Sequence, residues 1–305
     1  MAGYSAHSRF RQFAWINLAW NLLVIVWGGY VRASGSGAGC GAHWPTCNGE
    51  VIPQSPGIKT LIEFTHRMMS GVALIGVVVL VWWAWKVFPR CHRVRKASAA
   101  ALLLMLTEAL LGAGLVLFQY VAGNVSTGRA IYLSAHMVNT LLLVAAIALA
   151  AWWSRDNARP PITGMGWLMG AGPGAGLVIG MSGVIAALGD TLFPAISLAQ
   201  GFASDFSPAA NFLVRLRVLH PMLAVLGGIY LVTAALMAAL RRKDALIRTL
   251  AWLVCGFVLM QIALGVVNLV LLAPVWMQLT HLFSADLVWL SFVILAAETA
   301  TVAET

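Results

Sequence analysis

The sequence predicts an all-α integral membrane protein with eight transmembrane helices, and composition and hydropathy both indicate this class. Of the 305 residues, 61% are hydrophobic and only 10% are charged, which is more apolar surface than a water-soluble fold of this size can bury. Eight apolar segments have the length of about 20 residues that crosses a bilayer as a helix. They cover residues 13–32, 64–88, 98–119, 131–153, 165–187, 215–240, 246–272 and 276–298.

Lysine and arginine predict the orientation of these helices, because positively charged loops stay on the cytoplasmic side. Of the 19 such residues, 13 lie near the amino terminus or around the connections after the second, fourth and sixth segments. Both termini are therefore expected in the cytoplasm, with the loops 33–63, 120–130, 188–214 and 273–275 outside. Basic cytoplasmic loops also explain the net charge of +9, so we expect no nucleic-acid partner.

The chain contains an internal repeat at an offset of 154 residues, which places His66 on His220. With a shorter outer loop in the second copy, His136 falls on His281. Each copy has four helices, so both copies cross the membrane in the same direction and a pseudo-two-fold axis lies along the membrane normal. The sequence therefore predicts two four-helix bundles, residues 1–157 and residues 158–305.

Four histidines lie near the outer starts of the even-numbered segments: His66, His136, His220 and His281. A single histidine in a membrane helix is more often a hydrogen-bonded packing residue or a proton relay than a metal ligand. Two symmetric pairs at one depth instead favour two sites in the outer leaflet, each holding a flat macrocycle between two imidazoles. Histidine is a common axial ligand of heme iron, and helix bundles often hold cofactors in this way.

Five arginines lie toward the same outer side, namely Arg32, Arg67, Arg129, Arg215 and Arg217. Guanidinium groups pair well with carboxylates, so these side chains are candidate contacts for heme propionates. Anchoring of the helix ends at the membrane interface is the alternative.

The first outer loop holds two cysteines, Cys40 and Cys47, with Trp44 and Pro45 between them. The outer compartment is oxidising, so a disulfide that closes this small ring is reasonable. A structural bridge and a redox-active pair are both open. A zinc site with His43 is disfavoured, because the loop offers no obvious fourth ligand.

Glu63 lies three residues before His66 and therefore near the same helix face, whereas its counterpart in the repeat is Arg217. A carboxylate beside only one of two heme sites indicates proton or carbocation chemistry at that site. A helix-start carboxylate that interacts with the helix dipole is the alternative. Glu108 aligns with Gln261 in the repeat; we expect it to be neutral and hydrogen-bonded, with its role open.

The chain resembles the heme A synthases of aerobic respiratory membranes over its whole length. The resemblance is carried by the later histidines and by three motifs: Gly28-Gly29-Tyr-Val-Arg32 with Gly35-Ser-Gly37, Cys40-Gly-x-x-Trp44-Pro45-x-Cys47-x-Gly49, and Glu63-Phe-Thr-His66-Arg67. Two features depart from the pattern of some members. The loop 188–214 has no second cysteine pair, and His220 is followed by Pro221 instead of arginine.

The resemblance implies an enzyme that oxidises a methyl group of heme O to the formyl group of heme A, for assembly of a terminal heme–copper oxidase. It implies that His66 and His136 hold the substrate heme, and that His220 and His281 ligate the iron of a resident heme b. Glu63 would be the catalytic carboxylate, and Cys40 with Cys47 the loop disulfide.

The expected partners follow from this activity: heme O and the farnesyltransferase that makes it, membrane lipid, an electron acceptor and further copies of the chain in a homo-oligomer. The expected location is the bacterial plasma membrane. Two other functions are kept as alternatives, a di-heme b-type cytochrome that only transfers electrons and a heme carrier or assembly protein without turnover. Placement of both hemes in one leaflet disfavours electron transfer across the membrane.

Overall fold

A computed structural model of the chain describes residues 2–155, 162–242 and 244–300. Every regular element in these ranges is a helix, which confirms the predicted all-α class. The ten helices are α1 (Ala2–Ala33), α2 (Ile58–Val87), α3 (Arg93–Leu117), α4 (Thr127–Trp153), α5 (Gly166–Leu192), α6 (Leu198–Asp205), α7 (Phe212–Arg217), α8 (Leu219–Arg241), α9 (Ala245–Val270) and α10 (Val275–Thr299).

All eight predicted spans are present among the described residues as helices long and apolar enough to cross a membrane. The sixth span is formed by α7 and α8 together. The eight-residue helix α6 was not predicted and lies in the loop 188–214. The predicted division between residues 157 and 158 lies outside the described residues, as do Arg159 and Lys243, which contributed to the predicted orientation.

The helical hydrogen-bond pattern of the predicted sixth span is interrupted at one residue, Val218, whose backbone angles remain helical. Proline lacks a backbone N–H, and its ring collides with the carbonyl of the residue four positions earlier in a regular helix. For Pro221 that residue is Arg217, the last residue of α7. The break therefore lies where Pro221 requires it, directly before α8, which carries His220.

The long helices pack as two groups with separate hydrophobic cores. In the first group α1, α2, α3 and α4 contact one another in a ring, and in the second α5, α8, α9 and α10 do the same. Val77 and Val144 are fully buried in the first core, and Phe292 and Ile247 are buried in the second. Contacts of α4 with α5, and of α10 with α1 and α4, join the groups. Their pseudo-two-fold relation stays a prediction.

Glycines of α5 allow close packing where the two groups meet, because a residue without a side chain lets a neighbouring helix approach. A Cβ added at Gly180 would lie 2.8 Å from Leu141 of α4 in the first group. Within the second group, a Cβ added at Gly172 would collide with the ring of Phe292 of α10. Trp289 of α10 also reaches across, and its Nε1 donates a hydrogen bond of 2.7 Å to the carbonyl of Leu141.

Candidate functional site

Each of the four predicted histidines faces a glycine on the helix that precedes its own helix in its packing group. A Cβ added at Gly28 would lie 3.0 Å from Cε1 of His66, and one at Gly183 would lie 3.0 Å from Cε1 of His220. The same relation holds in two further pairs, at 3.9 Å for Gly112 with His136 and at 3.2 Å for Gly265 with His281. A larger residue at Gly28, Gly183 or Gly265 would crowd the facing imidazole, whereas the contact at Gly112 has an ordinary van der Waals distance.

His220 and His281 have a spacing that suits two axial ligands of one iron. Their ring centroids lie 6.3 Å apart, and the ring planes are nearly perpendicular at 85°. With metal–imidazole bonds of about 2 Å, two histidines on opposite sides of one iron have ring centres about 6 Å apart. The pair in the second group therefore fits a heme iron.

The other pair, His66 and His136, lies on α2 and α4, which are opposite members of the ring of four helices in the first group. Nδ1 of His66 is buried without a hydrogen-bond partner among the described residues, and so is Nδ1 of His281. Buried polar nitrogens are normally paired, so the unpaired nitrogens of these imidazoles indicate that a partner is missing. A heme iron between the imidazoles of each pair would supply such a partner, and heme ligation by the four histidines stays a prediction.

Two of the histidines have a partner at Nδ1 that leaves Nε2 available for a metal. Oγ of Ser182 lies 3.0 Å from Nδ1 of His220, and Oε1 of Glu108 lies 3.0 Å from Nδ1 of His136. The second contact is at ion-pair distance, although its angle does not meet hydrogen-bond criteria. Partners of this kind orient metal-binding histidines.

Glu108 is the centre of a polar network that the sequence analysis did not anticipate. Besides contacting His136, its carboxylate accepts hydrogen bonds from Nδ2 of Asn139, at 2.6 Å, and from Oγ1 of Thr140. Thr107 in turn donates to Oδ1 of Asn139. The sequence expectation of a hydrogen-bonded Glu108 is confirmed.

In the second group, Gln261 occupies the corresponding place, but it contacts a different nitrogen. Nε2 of Gln261 lies 3.2 Å from Nε2 of His281. This is the imidazole nitrogen that a metal would take when Nδ1 faces away from it, so Gln261 would have to release it if His281 held iron. The two sites therefore differ in both the charge and the position of the group beside the later histidine.

Glu63 is buried at 3% exposure, and both of its carboxylate oxygens have partners. Oε2 accepts a 2.8 Å hydrogen bond from the backbone N–H of Cys40, and Oε1 pairs with Arg67. Arg67 also donates to the carbonyls of His43 and Thr46. Glu63 and Arg67 thus fasten the first outer loop to α2 beside His66.

Cys40 and Cys47 form a disulfide, which the sequence analysis had considered reasonable and the resemblance had implied. Both cysteines are buried, at 0% and 1% exposure. Disulfide exchange requires access of a thiolate to one sulfur, so burial favours a structural role. The loop backbone also packs directly against the start of α2, because a Cβ added at Gly39 would collide with the carbonyl oxygen of Lys59.

Four of the five candidate propionate arginines bind protein groups. Arg32 joins the outer ends of three helices, because it donates to the carbonyl of Ala187, to Oγ1 of Thr191 and to Oε1 of Gln278. The other three with protein partners are Arg67, Arg129, which donates to the carbonyls of Ala122 and Asn124, and Arg217. Arg215 is exposed. Contact with propionates stays a prediction for all five.

Arg217 fastens the second outer loop. Its guanidinium pairs with Asp190 at the end of α5 and with Asp205 at the end of α6, and it donates to the carbonyl of Gly201 within α6. The side chains of Arg217 and Asp205 are each only 11% exposed. The two aspartates were not among the predicted residues, although both lie in or beside the loop 188–214.

Comparison with known proteins places the chain in a family. The model of the COX15-CtaA family, described as cytochrome oxidase assembly protein, matches residues 11–293. A protoheme IX farnesyltransferase of Thermus thermophilus is 49% identical over 294 residues, which are 95% of this chain and 48% of that protein. The chain therefore spans about half the length of this relative.

Relatives named heme A synthase match a shorter stretch. The protein of Alkalihalophilus pseudofirmus is 42% identical over 112 residues, 37% of this chain and 38% of that protein. The protein of Halalkalibacterium halodurans is 38% identical over 112 residues, with the same coverage of both chains. These relatives and the family model together confirm the resemblance found in the motifs. The chain belongs to the COX15-CtaA family of cytochrome oxidase assembly proteins.

Proposed function

We propose that the chain oxidises a methyl group of heme O to the formyl group of heme A, for use in a terminal heme–copper oxidase. Conversion of a methyl group to a formyl group removes four electrons and adds one oxygen atom, so the reaction requires an electron acceptor. The observation that supports this proposal is a pair of histidine sites with unequal surroundings in a chain of this family. Two hemes used only for electron transfer would not need such a difference.

The two sites have separate roles in this proposal. His66 and His136 hold the substrate heme O, beside the carboxylates of Glu63 and Glu108. His220 and His281 hold the iron of a resident heme b, which supplies one-electron transfer when bound. Ser182 orients the imidazole of His220 through its contact with Nδ1.

Glu63 is the carboxylate that we assign to the reaction. Both of its oxygens are engaged, so its contribution is a fixed negative charge beside the substrate heme and the attachment of the first loop above it. The arginines at the outer end are the candidate partners of the heme propionates. Some of their present hydrogen bonds would then be exchanged for bonds to the propionates.

The similarity to a protein named for farnesyl transfer supports a link to heme O synthesis. Heme O is a farnesylated heme, so a farnesyltransferase produces the substrate of the proposed reaction. We infer that the chain works beside such an enzyme in the bacterial plasma membrane, with its termini in the cytoplasm and both heme sites toward the outer leaflet.

Expression with a heme O synthase, followed by pigment extraction, tests the function. We expect heme A or a hydroxylated intermediate in membranes that contain the chain. Glu63→Ala should abolish product while the hemes remain bound, and His220→Ala or His281→Ala should remove heme b from the absorption spectrum. A di-heme cytochrome or a heme carrier would bind heme without yielding either product, and that result would refute the proposal.

A further inference from the structure

The two histidine sites differ most in the group beside the later histidine. In the first site the carboxylate of Glu108 lies 3.0 Å from Nδ1 of His136, and in the second the neutral amide of Gln261 contacts His281. Both pairs come from corresponding helices, α3 with α4 and α9 with α10. The repeat therefore places an anion at one site and an uncharged group at the other.

A carboxylate at Nδ1 changes a metal-binding imidazole in a known direction. When Nε2 binds a metal, Nδ1 keeps its proton and can donate it to a hydrogen-bond acceptor, and a carboxylate acceptor makes the imidazole a stronger donor to the metal. Stronger donation and a nearby negative charge both stabilise the ferric state more than the ferrous state. An amide lacks the charge and has the weaker effect.

The contacts around Glu108 assign its two oxygens to different neighbours. Oε2 accepts from Nδ2 of Asn139, and Oε1 lies 3.0 Å from Nδ1 of His136. Asn139 is held in this direction, because its Nδ2 also donates to the carbonyl of Leu104 and its Oδ1 accepts from Thr107. In Glu108→Gln, the side-chain oxygen would therefore stay at Asn139, and the NH2 group would face Nδ1 of His136 in place of an acceptor.

We propose that Glu108 is a positioning residue that orients His136 and strengthens its bond to iron, so that the heme held by His66 and His136 has a lower reduction potential than the heme held by His220 and His281. This inference rests on the proposed function, because it takes the first site to be the substrate-heme site. It assigns a role to a carboxylate other than Glu63. The low potential keeps the substrate iron oxidised while the second site carries electrons.

Redox titration of the two hemes, followed by absorbance, tests the proposal. The full-length protein is loaded with heme b and heme O, and the two components are assigned with His281→Ala, which retains only the first heme. We expect Glu108→Gln to raise the potential of the first heme and to weaken its binding by about 10–100-fold. The second heme should keep its spectrum and potential, which shows that the variant is folded.

Two further variants make the test specific. Glu108→Asp keeps the charge and should return the potential toward the wild-type value, whereas a purely structural role would not depend on charge. The reciprocal variant Gln261→Glu should lower the potential of the second heme. An unchanged potential of the first heme in Glu108→Gln would overturn this inference and leave the proposed function intact. If instead the wild-type chain binds no heme at His66 and His136, both proposals are wrong.

Discussion

The two outer loops of this molecule are fastened by different chemistry at corresponding positions. The first is closed by the disulfide between Cys40 and Cys47, and Glu63 of α2 accepts a hydrogen bond from its backbone. The second contains the helix α6 and is held by Arg217, which pairs with Asp190 and Asp205. In the repeat, Glu63 and Arg217 occupy the same place, three residues before a histidine.

This comparison offers a structural explanation, besides the catalytic one, for the charge difference between Glu63 and Arg217. The sequence alone indicated that Glu63 serves chemistry, because its counterpart is a cation. In the structure both residues bind the loop above the neighbouring histidine, one through an acceptor and the other through donors. In both groups the residue three positions before the histidine therefore binds the neighbouring loop, and the sign of its charge follows from whether the loop offers donors or acceptors.

The comparison predicts that the second loop depends strongly on one side chain. Arg217→Ala leaves Asp190 and Asp205 without their cation in a largely buried setting, and loss of one partner of a buried ion pair costs about 3 kcal/mol. We expect the free energy of unfolding, measured by sodium dodecyl sulfate titration in mixed micelles, to fall by this amount. Arg215→Ala removes a neighbouring exposed arginine and should change it by less than about 0.5 kcal/mol.

Equal effects of these two arginine variants would show that the ion pairs of Arg217 contribute nothing specific. The second loop would then be held by its apolar contacts and its covalent connection to α5 and α7. Arg217 would not fasten its loop in the way that Glu63 fastens the first loop.

The disulfide between Cys40 and Cys47 should contribute less to the free energy of unfolding than Arg217 does. This disulfide joins residues only seven apart, and closing so short a loop restricts the unfolded chain by about 2 kcal/mol. The double variant Cys40→Ala with Cys47→Ala should lose about this much, because Glu63 and Arg67 still hold the loop. The same unfolding titration checks it, with reduced wild-type protein as a control that must match the variant.

If the double cysteine variant loses much more free energy of unfolding than Arg217→Ala, the disulfide contributes more to stability than Arg217 does. That result would mean that the disulfide positions the groups that Glu63 binds, so that the hydrogen bond to Cys40 disappears together with the covalent bridge.

Most of the fold was predictable from the sequence, because the bilayer sets the length and composition of a spanning helix. The four histidines were singled out for a related reason, since ionisable residues in membrane spans are rare and usually functional. Their role as heme ligands stays a prediction. The repeat then grouped them in pairs. The interrupted hydrogen bonding at Val218 was also predictable, because Pro221 has no backbone N–H to complete a regular helix there.

Contacts that depend on the rotation of one helix against another were not predictable. The pairing of Glu108 with His136 requires α3 to present that residue to α4, and the hydrophobic pattern of two nearly uniform apolar helices does not determine this rotation. The short helix α6 was missed for a different reason. Its eight residues give too weak a pattern, and it is held by Asp205 binding Arg217, a residue outside the helix.

The smallest predicted effect concerns the contact between the first group and the second outer loop. Arg32 at the end of α1 donates to Oγ1 of Thr191, the residue after Asp190, at 2.6 Å. Thr191→Val keeps the shape but removes two hydrogen bonds, the one from Arg32 and the one that the hydroxyl donates to the carbonyl of Ala187 in its own helix. Loss of the bond to the charged group should cost about 1.5 kcal/mol or less, since Arg32 keeps its bonds to Ala187 and Gln278. Thr280→Val is the matched control, because among the described residues that exposed hydroxyl bonds only to the carbonyl of Trp276, also four residues earlier in its own helix. A difference between the two variants in the unfolding titration would show that the second loop is fastened from both groups, and identical values would confine its attachment to Arg217.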